Sequence, residues 1–187
     1  MTPKKRAEKP ENKVKSTNYQ SITKGTIKMK DKTMKRIRIC CYVAIGLCVA
    51  WGLLWFGNLI LSAFGVSDYP LQWFDWTEHR AYKTTIFAVY SLSIAAMIVM
   101  CVKMVLNVLK GLNENTVFPK SNVKLLFWFV LVDFIYLLVF NNLRVLGSDQ
   151  PTFMIQHNNF VIPFFLLFFA FMYKVAADAV EENNLTV

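Results

Sequence analysis

The chain has 187 residues, of which 55% are hydrophobic and 15% aromatic, and its formal net charge is +9. Most of this charge lies in residues 1–38, which carry 13 of the 21 Lys and Arg residues but 3 of the 12 Asp and Glu residues. The rest is strongly apolar and nearly neutral, which excludes an ordinary soluble domain and argues against a basic nucleic-acid-binding fold. The sequence therefore predicts an integral membrane protein whose main partner is the lipid bilayer.

Residues 1–38 come first in the chain and mix Lys with Ser, Thr and Asn without an apolar period. Such a segment buries too little apolar surface to fold alone, so we predict a basic, largely disordered tail. Its lysines are suited to contact with anionic lipid, worth about 1 kcal/mol per basic residue.

Four apolar stretches follow, each long enough to cross a hydrocarbon core of about 30 Å, which takes roughly 20 helical residues. They are apolar on every face, which is typical of helices in lipid rather than of amphipathic core helices. Unpaired backbone groups are costly in hydrocarbon, which favours helices over isolated strands. We therefore predict an all-α fold, a four-helix transmembrane bundle within residues 39–180, with spans near residues 39–64, 84–109, 125–143 and 160–177.

Lys and Arg are concentrated on one side of the predicted bundle. The tail and the connection between the second and third spans hold most of them, whereas the other two connections hold Arg80, Lys83 and Arg144. Because an excess of Lys and Arg marks the cytoplasmic side, we predict that both termini are cytoplasmic. The acidic C-terminal tip, residues 181–187, then lies on the same side as the tail.

The first connection between spans is rich in aromatic residues: Tyr69, Trp73, Phe74, Trp76 and Tyr82. A short amphipathic segment at the membrane surface accounts for this composition, because Trp and Tyr are enriched at that depth. A platform that binds a ligand is the alternative.

No motif in the sequence indicates an enzyme. A Gly-rich phosphate loop, a Ser nucleophile on a sharp turn and an HExxH helix are all missing. His79 and His157 lie in separate connections, and no Cys or His cluster has the spacing of metal ligands. We therefore expect a non-enzymatic protein without a cofactor or a metal.

Asp133 is an acidic residue near the middle of the third span. A carboxylate there costs about 2.5–3.5 kcal/mol on insertion scales, so it normally faces protein or water. Helix rise places it about 13 Å beyond Lys124, and places Lys103 of the second span about 10 Å from Lys110, at a similar depth. We hypothesise an Asp133–Lys103 ion pair, with Tyr136 as a hydrogen-bond donor. The alternative is that Lys103 extends to the membrane surface while Asp133 is neutral or faces another helix.

Two short motifs lie on the predicted cytoplasmic side. The connection between the second and third spans contains Gly111, which suits the C-terminal cap of a helix. We expect a soluble partner to dock on exposed residues of this connection and of the tip: Phe118, Asn122, Lys124, Glu182, Leu185 and Thr186.

The same motifs carry a family resemblance. Val117-Phe118 followed by Asn122-Val123-Lys124-Leu125, together with the terminal Glu-Glu-Asn-Asn-Leu-Thr-Val, resemble the bacterial domain-of-unknown-function 2975 family of four-span membrane proteins. The resemblance implies a location in the bacterial cytoplasmic (inner) membrane and supplies no catalytic residue. It also implies partnership with a small helix-turn-helix transcriptional regulator.

Two classes of function therefore stay open. The first is a membrane sensor or regulatory partner of a cytoplasmic protein. The second is a small transporter or toxin-immunity protein that acts through the helix bundle. The position of the motifs on the cytoplasmic side favours the first class.

Overall fold

The computed structural model describes residues 31–185 except residues 69, 73, 115, 150 and 151. This part of the chain is all-helical, and its elements are α1 (Asp31–Ala63), α2 (Arg80–Asn113), α3 (Ser121–Phe140), a 3₁₀ helix (Leu143–Gly147) and α4 (Asn158–Leu185). Each of the four α-helices contains an 18-residue window that is apolar enough to cross a membrane. The predicted all-α fold with four membrane-spanning helices is confirmed.

The helices at both ends of the chain extend beyond the predicted spans. α1 begins at Asp31, so residues 31–38, the last part of the predicted tail, are helical; residues 1–30 lie outside the described part, and the prediction of a largely disordered tail stays a prediction. α4 continues to Leu185 and includes most of the predicted acidic tip. A helix that leaves the hydrocarbon keeps its internal hydrogen bonds while polar side chains enter water, so the change in composition does not end it.

Consecutive helices pack side by side, α1 on α2, α2 on α3 and α3 on α4, and α2 also packs on the 3₁₀ helix. Within the described residues, α1 and α4 share no contact of comparable extent. Both helices keep large apolar side chains exposed, including Leu53 and Leu54 on α1 and Phe164 and Phe168 on α4. So large an apolar surface is costly in water and is suited to contact with lipid tails.

The buried core lies towards the end of the structure where α2 begins and α3 ends. Its central side chains are Ile86, Phe87, Tyr90, Ile94, Val139 and Leu146. The Tyr90 ring stacks on Tyr136 with centroids 5.5 Å apart and meets Trp55 edge-on at 5.4 Å. Aromatic rings at these distances pack favourably, and they join α1, α2 and α3 at this end.

Two left-handed residues mark the chain reversal between α1 and α2. Gly65, at φ 71°, follows the last turn of α1, where glycine adopts this conformation without steric cost. His79 precedes α2 at φ 49° and ψ 37°, a conformation in which His is enriched among non-glycine residues. The described residues between them form turns and bends but no helix.

Candidate functional site

Polar groups are gathered at two opposite ends of the helices. The first end, here named the cap, consists of the connections of residues 64–79 and 143–157. The second, here named the basic end, consists of residues 31–38, 110–124 and 174–185. Because α1, α2, α3 and α4 alternate in direction, the chain places these segments at opposite ends.

Lys83 anchors the cap to the first turn of α2. Its side chain is 1% exposed, and its Nζ donates a hydrogen bond of 2.7 Å to the backbone carbonyl oxygen of Asp75. The Asp75 carboxylate lies 3.9 Å from the same ammonium group, and the Asp75 N–H donates to the carbonyl oxygen of Leu146 at 3.0 Å. A buried ammonium group requires such acceptors. Lys83 therefore holds the first connection against α2, a role that the sequence analysis missed, and the Asp75 N–H joins that connection to the second one.

Asp75 also closes a small turn with Thr77. One carboxylate oxygen accepts hydrogen bonds from the Thr77 hydroxyl at 2.6 Å and from its backbone N–H at 2.9 Å. These bonds, with a smaller contribution from the Lys83 ammonium, hold the pKa of the Asp75 carboxyl below its ordinary value. Both effects favour the charged form of the carboxyl group.

Two aromatic residues of the first connection, Phe74 and Trp76, pack on α2. Phe74 and Trp76 each lie with ring centroids 6.0 Å from Phe87, and the Trp76 Nε1–H donates to the Leu71 carbonyl oxygen at 2.6 Å. Both rings are half-buried against the core, and the prediction that this segment lies at the membrane surface stays a prediction. Tyr69 and Trp73 lie outside the described residues.

A groove of about 640 Å³ runs beside these rings. The lining combines apolar and aromatic surface with one guanidinium group, and its residues are Leu71, Gln72, Phe74, Trp76, Arg80, Thr84 and Phe87. This arrangement suits a partly apolar ligand that carries a negative group. The alternative of a ligand platform at this end thus has a structural counterpart.

Two fully buried asparagines hold the second connection of the cap. Asn142 donates to the carbonyl oxygens of Leu138 at 2.6 Å and Met154 at 2.8 Å, and accepts from the Met154 N–H at 2.6 Å. Asn159 accepts from the Asn141 side chain at 3.1 Å and from the Gln156 N–H at 2.7 Å. They fix the chain between the 3₁₀ helix and α4, because the described residues of 148–157 form no helix or strand whose hydrogen bonds would hold them.

The hypothesised ion pair between Asp133 and Lys103 is not formed. Among the described residues, the ion pairs within 4.0 Å are Lys83–Asp75 and Lys120–Glu181. Asp133 is 7% exposed and Lys103 is exposed, so the first faces protein and the second does not. Equal depth does not set the rotation of a helix about its axis, and α2 turns Lys103 to its exposed side.

Tyr136 does not serve as the expected donor to Asp133. Within the described residues Asp133 Oδ2 has no hydrogen-bond partner, and the Tyr136 ring stacks on Tyr90 and Phe140 instead. Asp133 lies 11 residues beyond Asn122, about three helical turns, and so on the same face of α3. That face is turned towards α2, since Asn122 contacts this helix.

The connection between α2 and α3 is closely packed against α4. The Tyr173 hydroxyl of α4 donates to the Pro119 carbonyl oxygen at 3.3 Å, and the Tyr173 ring meets Phe118 edge-on at 5.4 Å. Next to these contacts, the Lys120 ammonium group is paired with the Glu181 carboxylate. These contacts hold the α2–α3 connection in a defined position against α4, so the basic end presents an ordered surface.

Gly111 has a different role from the predicted helix cap. α2 continues past it to Asn113, and the Gly111 carbonyl oxygen accepts from the N–H groups of Glu114 at 2.8 Å and Thr116 at 2.9 Å. A Cβ atom added at Gly111 would lie 2.8 Å from the Thr116 carbonyl oxygen. The glycine is needed because the connection approaches the helix backbone closely.

The predicted docking residues fall into three groups. Phe118, Lys124 and Glu182 are exposed, as docking requires. Asn122 is not available to a partner: it is 2% exposed, accepts from the Asn107 amide at 2.8 Å and donates to the Met104 carbonyl oxygen at 2.9 Å. The prediction for Asn122 is therefore wrong, because its amide joins α3 to α2. The Leu185 side chain and Thr186 lie outside the described part.

A cavity of about 460 Å³ opens at the basic end between α2, the connection and α4. Its walls include the charged side chains of Lys110, Glu114, Lys120 and Glu181, with Phe118 and Val180 as apolar members. Charges of both signs around a small apolar patch are suited to contact with the surface of another protein. Within the described residues, no three His, Cys, Asp or Glu residues are grouped so as to hold a metal ion.

Comparisons with protein-family models, curated proteins and solved structures found no match to this chain. The resemblance to the bacterial domain-of-unknown-function 2975 family therefore stays a prediction that depends on the two sequence motifs, one in the α2–α3 connection and one at the C-terminus.

Proposed function

We propose that this multi-pass membrane protein is a non-enzymatic sensor or regulatory partner that docks a soluble cytoplasmic protein on its basic end. The observation that supports the proposal is the ordered surface at the basic end. Contacts from Tyr173 to Pro119 and from Lys120 to Glu181 fix the α2–α3 connection against α4 beside a cavity with charged walls. A surface that is already ordered loses little conformational entropy on binding, which favours docking.

The distribution of charges supports an orientation in the membrane. Eight of the described Lys and Arg residues belong to the basic end, and Arg80, Lys83 and Arg144 lie at the cap. The positive-inside rule then supports a cytoplasmic basic end with both termini inside. The family resemblance adds the bacterial inner membrane and a small helix-turn-helix transcriptional regulator as the docked protein.

The groove of the cap favours a second candidate, a toxin-immunity protein or small transporter that binds a ligand at the opposite end. Its aromatic walls and Arg80 form a ligand-sized concavity. Transport through the bundle has less support. The buried polar side chains of the described apolar centre, Ser93 and Asp133, belong to different helices, and the Ser93 hydroxyl is already bonded to the Val89 carbonyl oxygen.

Cysteine labelling tests the orientation. In a variant without the four native cysteines, a single cysteine replaces either Glu114 at the basic end or Glu78 at the cap; both positions are exposed. A membrane-impermeant maleimide added to intact cells should label position 78 and leave position 114 unlabelled until the cells are opened. The reverse pattern would place the basic end outside and exclude a cytoplasmic partner.

Complementation of a deletion strain tests the docking function. We expect deletion to change the transcription of a defined set of genes, and the wild type to restore it. Lys110→Glu with Glu114→Lys should not restore it, because two of the four charges around the cavity then exchange positions, whereas Arg144→Glu at the cap should. Normal transcription after deletion, together with altered tolerance to a solute or peptide, would instead support the second candidate.

A further inference from the structure

A lateral groove lies between α3 and α4 near the basic end, separate from the cavity described above. It has a volume of about 610 Å³. Its apolar wall is formed by Val123, Phe127, Trp128 and Leu131. Trp128 is 52% exposed and Leu131 is 47% exposed, so this wall is not covered by another helix of the described chain.

The charged part of the groove is confined to one end. Lys120, Lys124, Lys174 and Asp178 line it there. Leu131 lies seven residues beyond Lys124 on α3, which is about 10 Å along the helix axis. The groove therefore combines a charged mouth where the span ends with an apolar channel of about 10 Å inside the span, the same division as in a phospholipid.

The charges at the mouth are not balanced. Lys120 is paired with Glu181, whereas Lys124 and Lys174 are exposed and take part in no ion pair within 4.0 Å among the described residues. Asp178 offsets one of these two charges. One positive charge remains, and a phosphodiester group carries the single negative charge that neutralises it.

We propose that the α3–α4 groove binds an anionic phospholipid, with the phosphate between Lys124 and Lys174 and one acyl chain along Phe127, Trp128 and Leu131. Ammonium groups are strong donors to phosphate oxygens, and basic pockets between membrane helices hold anionic headgroups in this way. A soluble peptide fits less well, because the apolar wall faces hydrocarbon. The groove shares Lys120 with the docking cavity, and Lys124 is also a predicted docking residue, but lipid binding requires no soluble partner and is independent of which side of the membrane the basic end occupies.

Native mass spectrometry of the full-length protein tests the proposal with phosphatidylglycerol and phosphatidylcholine in detergent. We expect a bound phosphatidylglycerol that survives gentle activation, and preference for it over phosphatidylcholine. Lys124→Gln with Lys174→Gln should weaken phosphatidylglycerol binding about 30-fold, because two lysines near a surface each contribute to anionic lipid binding.

A matched control separates the groove from the general charge of the basic end. Lys32→Gln with Lys35→Gln removes the same charge from exposed positions on α1 and should leave phosphatidylglycerol binding within about twofold of the wild type. Leu131→Trp, which fills the apolar channel while keeping every charge, should weaken binding as well. Equal binding of the two lipids, or an equal loss in the groove and control variants, would overturn the proposal.

Discussion

Asn142 binds both backbone groups of Met154: its amide nitrogen donates to the Met154 carbonyl oxygen at 2.8 Å, and its side-chain oxygen accepts from the Met154 N–H at 2.6 Å. The carboxamide thus pairs both backbone groups of a residue that belongs to no helix or strand. One side chain at the end of α3 therefore fixes the path by which the chain enters α4.

Replacement of this amide should be costly. Asn142→Ala removes three hydrogen bonds of a fully buried amide and takes the side-chain partner from both backbone groups of Met154, so we expect the free energy of unfolding to fall by about 2–4 kcal/mol. Asn58→Ala, at an exposed position of α1, is the control and should change it by less than about 0.5 kcal/mol. Both values are measured by titration with a denaturing detergent; equal effects would show that the Asn142 bonds do not stabilise the cap.

The amide pair between Asn107 and Asn122 should contribute to the packing of α2 on α3. A double-mutant cycle with Asn107→Ala and Asn122→Ala should give a coupling energy of about 0.5–1.5 kcal/mol, the range found for hydrogen bonds between membrane helices. Detergent titration of the four proteins measures it. A coupling energy near zero, with full stability in Asn122→Ala, would show that this hydrogen bond does not stabilise the packing of α2 on α3. Asn122 would then again be a candidate docking residue.

Removal of the ammonium group of Lys103 should leave stability unchanged, because the residue has no ion pair with Asp133. Lys103→Met should alter the free energy of unfolding by less than about 0.5 kcal/mol. Asp133→Leu should raise it by about 1–3 kcal/mol, since a buried carboxylate oxygen without a partner is removed. Destabilisation by both substitutions, with restored stability in the double variant, would re-establish the ion pair.

Alanine at Gly111 should disturb the basic end. Its Cβ atom would meet the Thr116 carbonyl oxygen at 2.8 Å, so the connection has to shift, at a cost of about 1–3 kcal/mol. Gly46→Ala, where no atom lies within 4 Å of the added Cβ, should be neutral or stabilising by up to about 1 kcal/mol. Thermal unfolding in detergent distinguishes them, and equal midpoints would contradict the close approach.

Acid should loosen the cap through Asp75. Because its pKa is lowered on folding, its charged form contributes stability above its ordinary value of 3.8, and this contribution is lost as the pH falls through the lower folded-state value. Tryptophan fluorescence followed from about pH 6 to about pH 2 should show a transition that Asp75→Asn removes. Asp68→Asn, at an exposed position of the same connection, should retain it. An unchanged transition in Asp75→Asn would exclude this carboxyl group as the cause.

The number and type of helices were predictable because lipid imposes a simple requirement on composition. Uniformly apolar stretches of about 20 residues need no knowledge of their neighbours to be recognised as helices. The ends of α1 and α4 were not predictable, since the polar residues of 31–38 and of the acidic tip are as compatible with helix as with disorder.

The candidate site was less predictable because the positions of its side chains depend on the rotation of each helix about its axis and on how the connections fold back onto the helices. Depth alone suggested that Asp133 meets Lys103, yet the rotation of each helix turns the first inward and the second outward. In the sequence, Lys83 looked like an ordinary loop lysine, and Asn122 looked like an exposed residue of a connection. Both became buried when distant segments supplied the Asp75 and Met104 carbonyl oxygens as partners.

The sequence by itself thus determined the membrane class, the four helices and the concentration of basic residues at one end, because composition and periodicity are local properties. Tertiary structure alone decided which polar groups are satisfied by protein and which stay available. Lys83, Asn122 and Asn142 are occupied by backbone partners, while Lys124 and Lys174 are left to face an apolar groove. The physical reason is that a hydrogen bond requires a partner at a particular position, and the packing of helices sets that position.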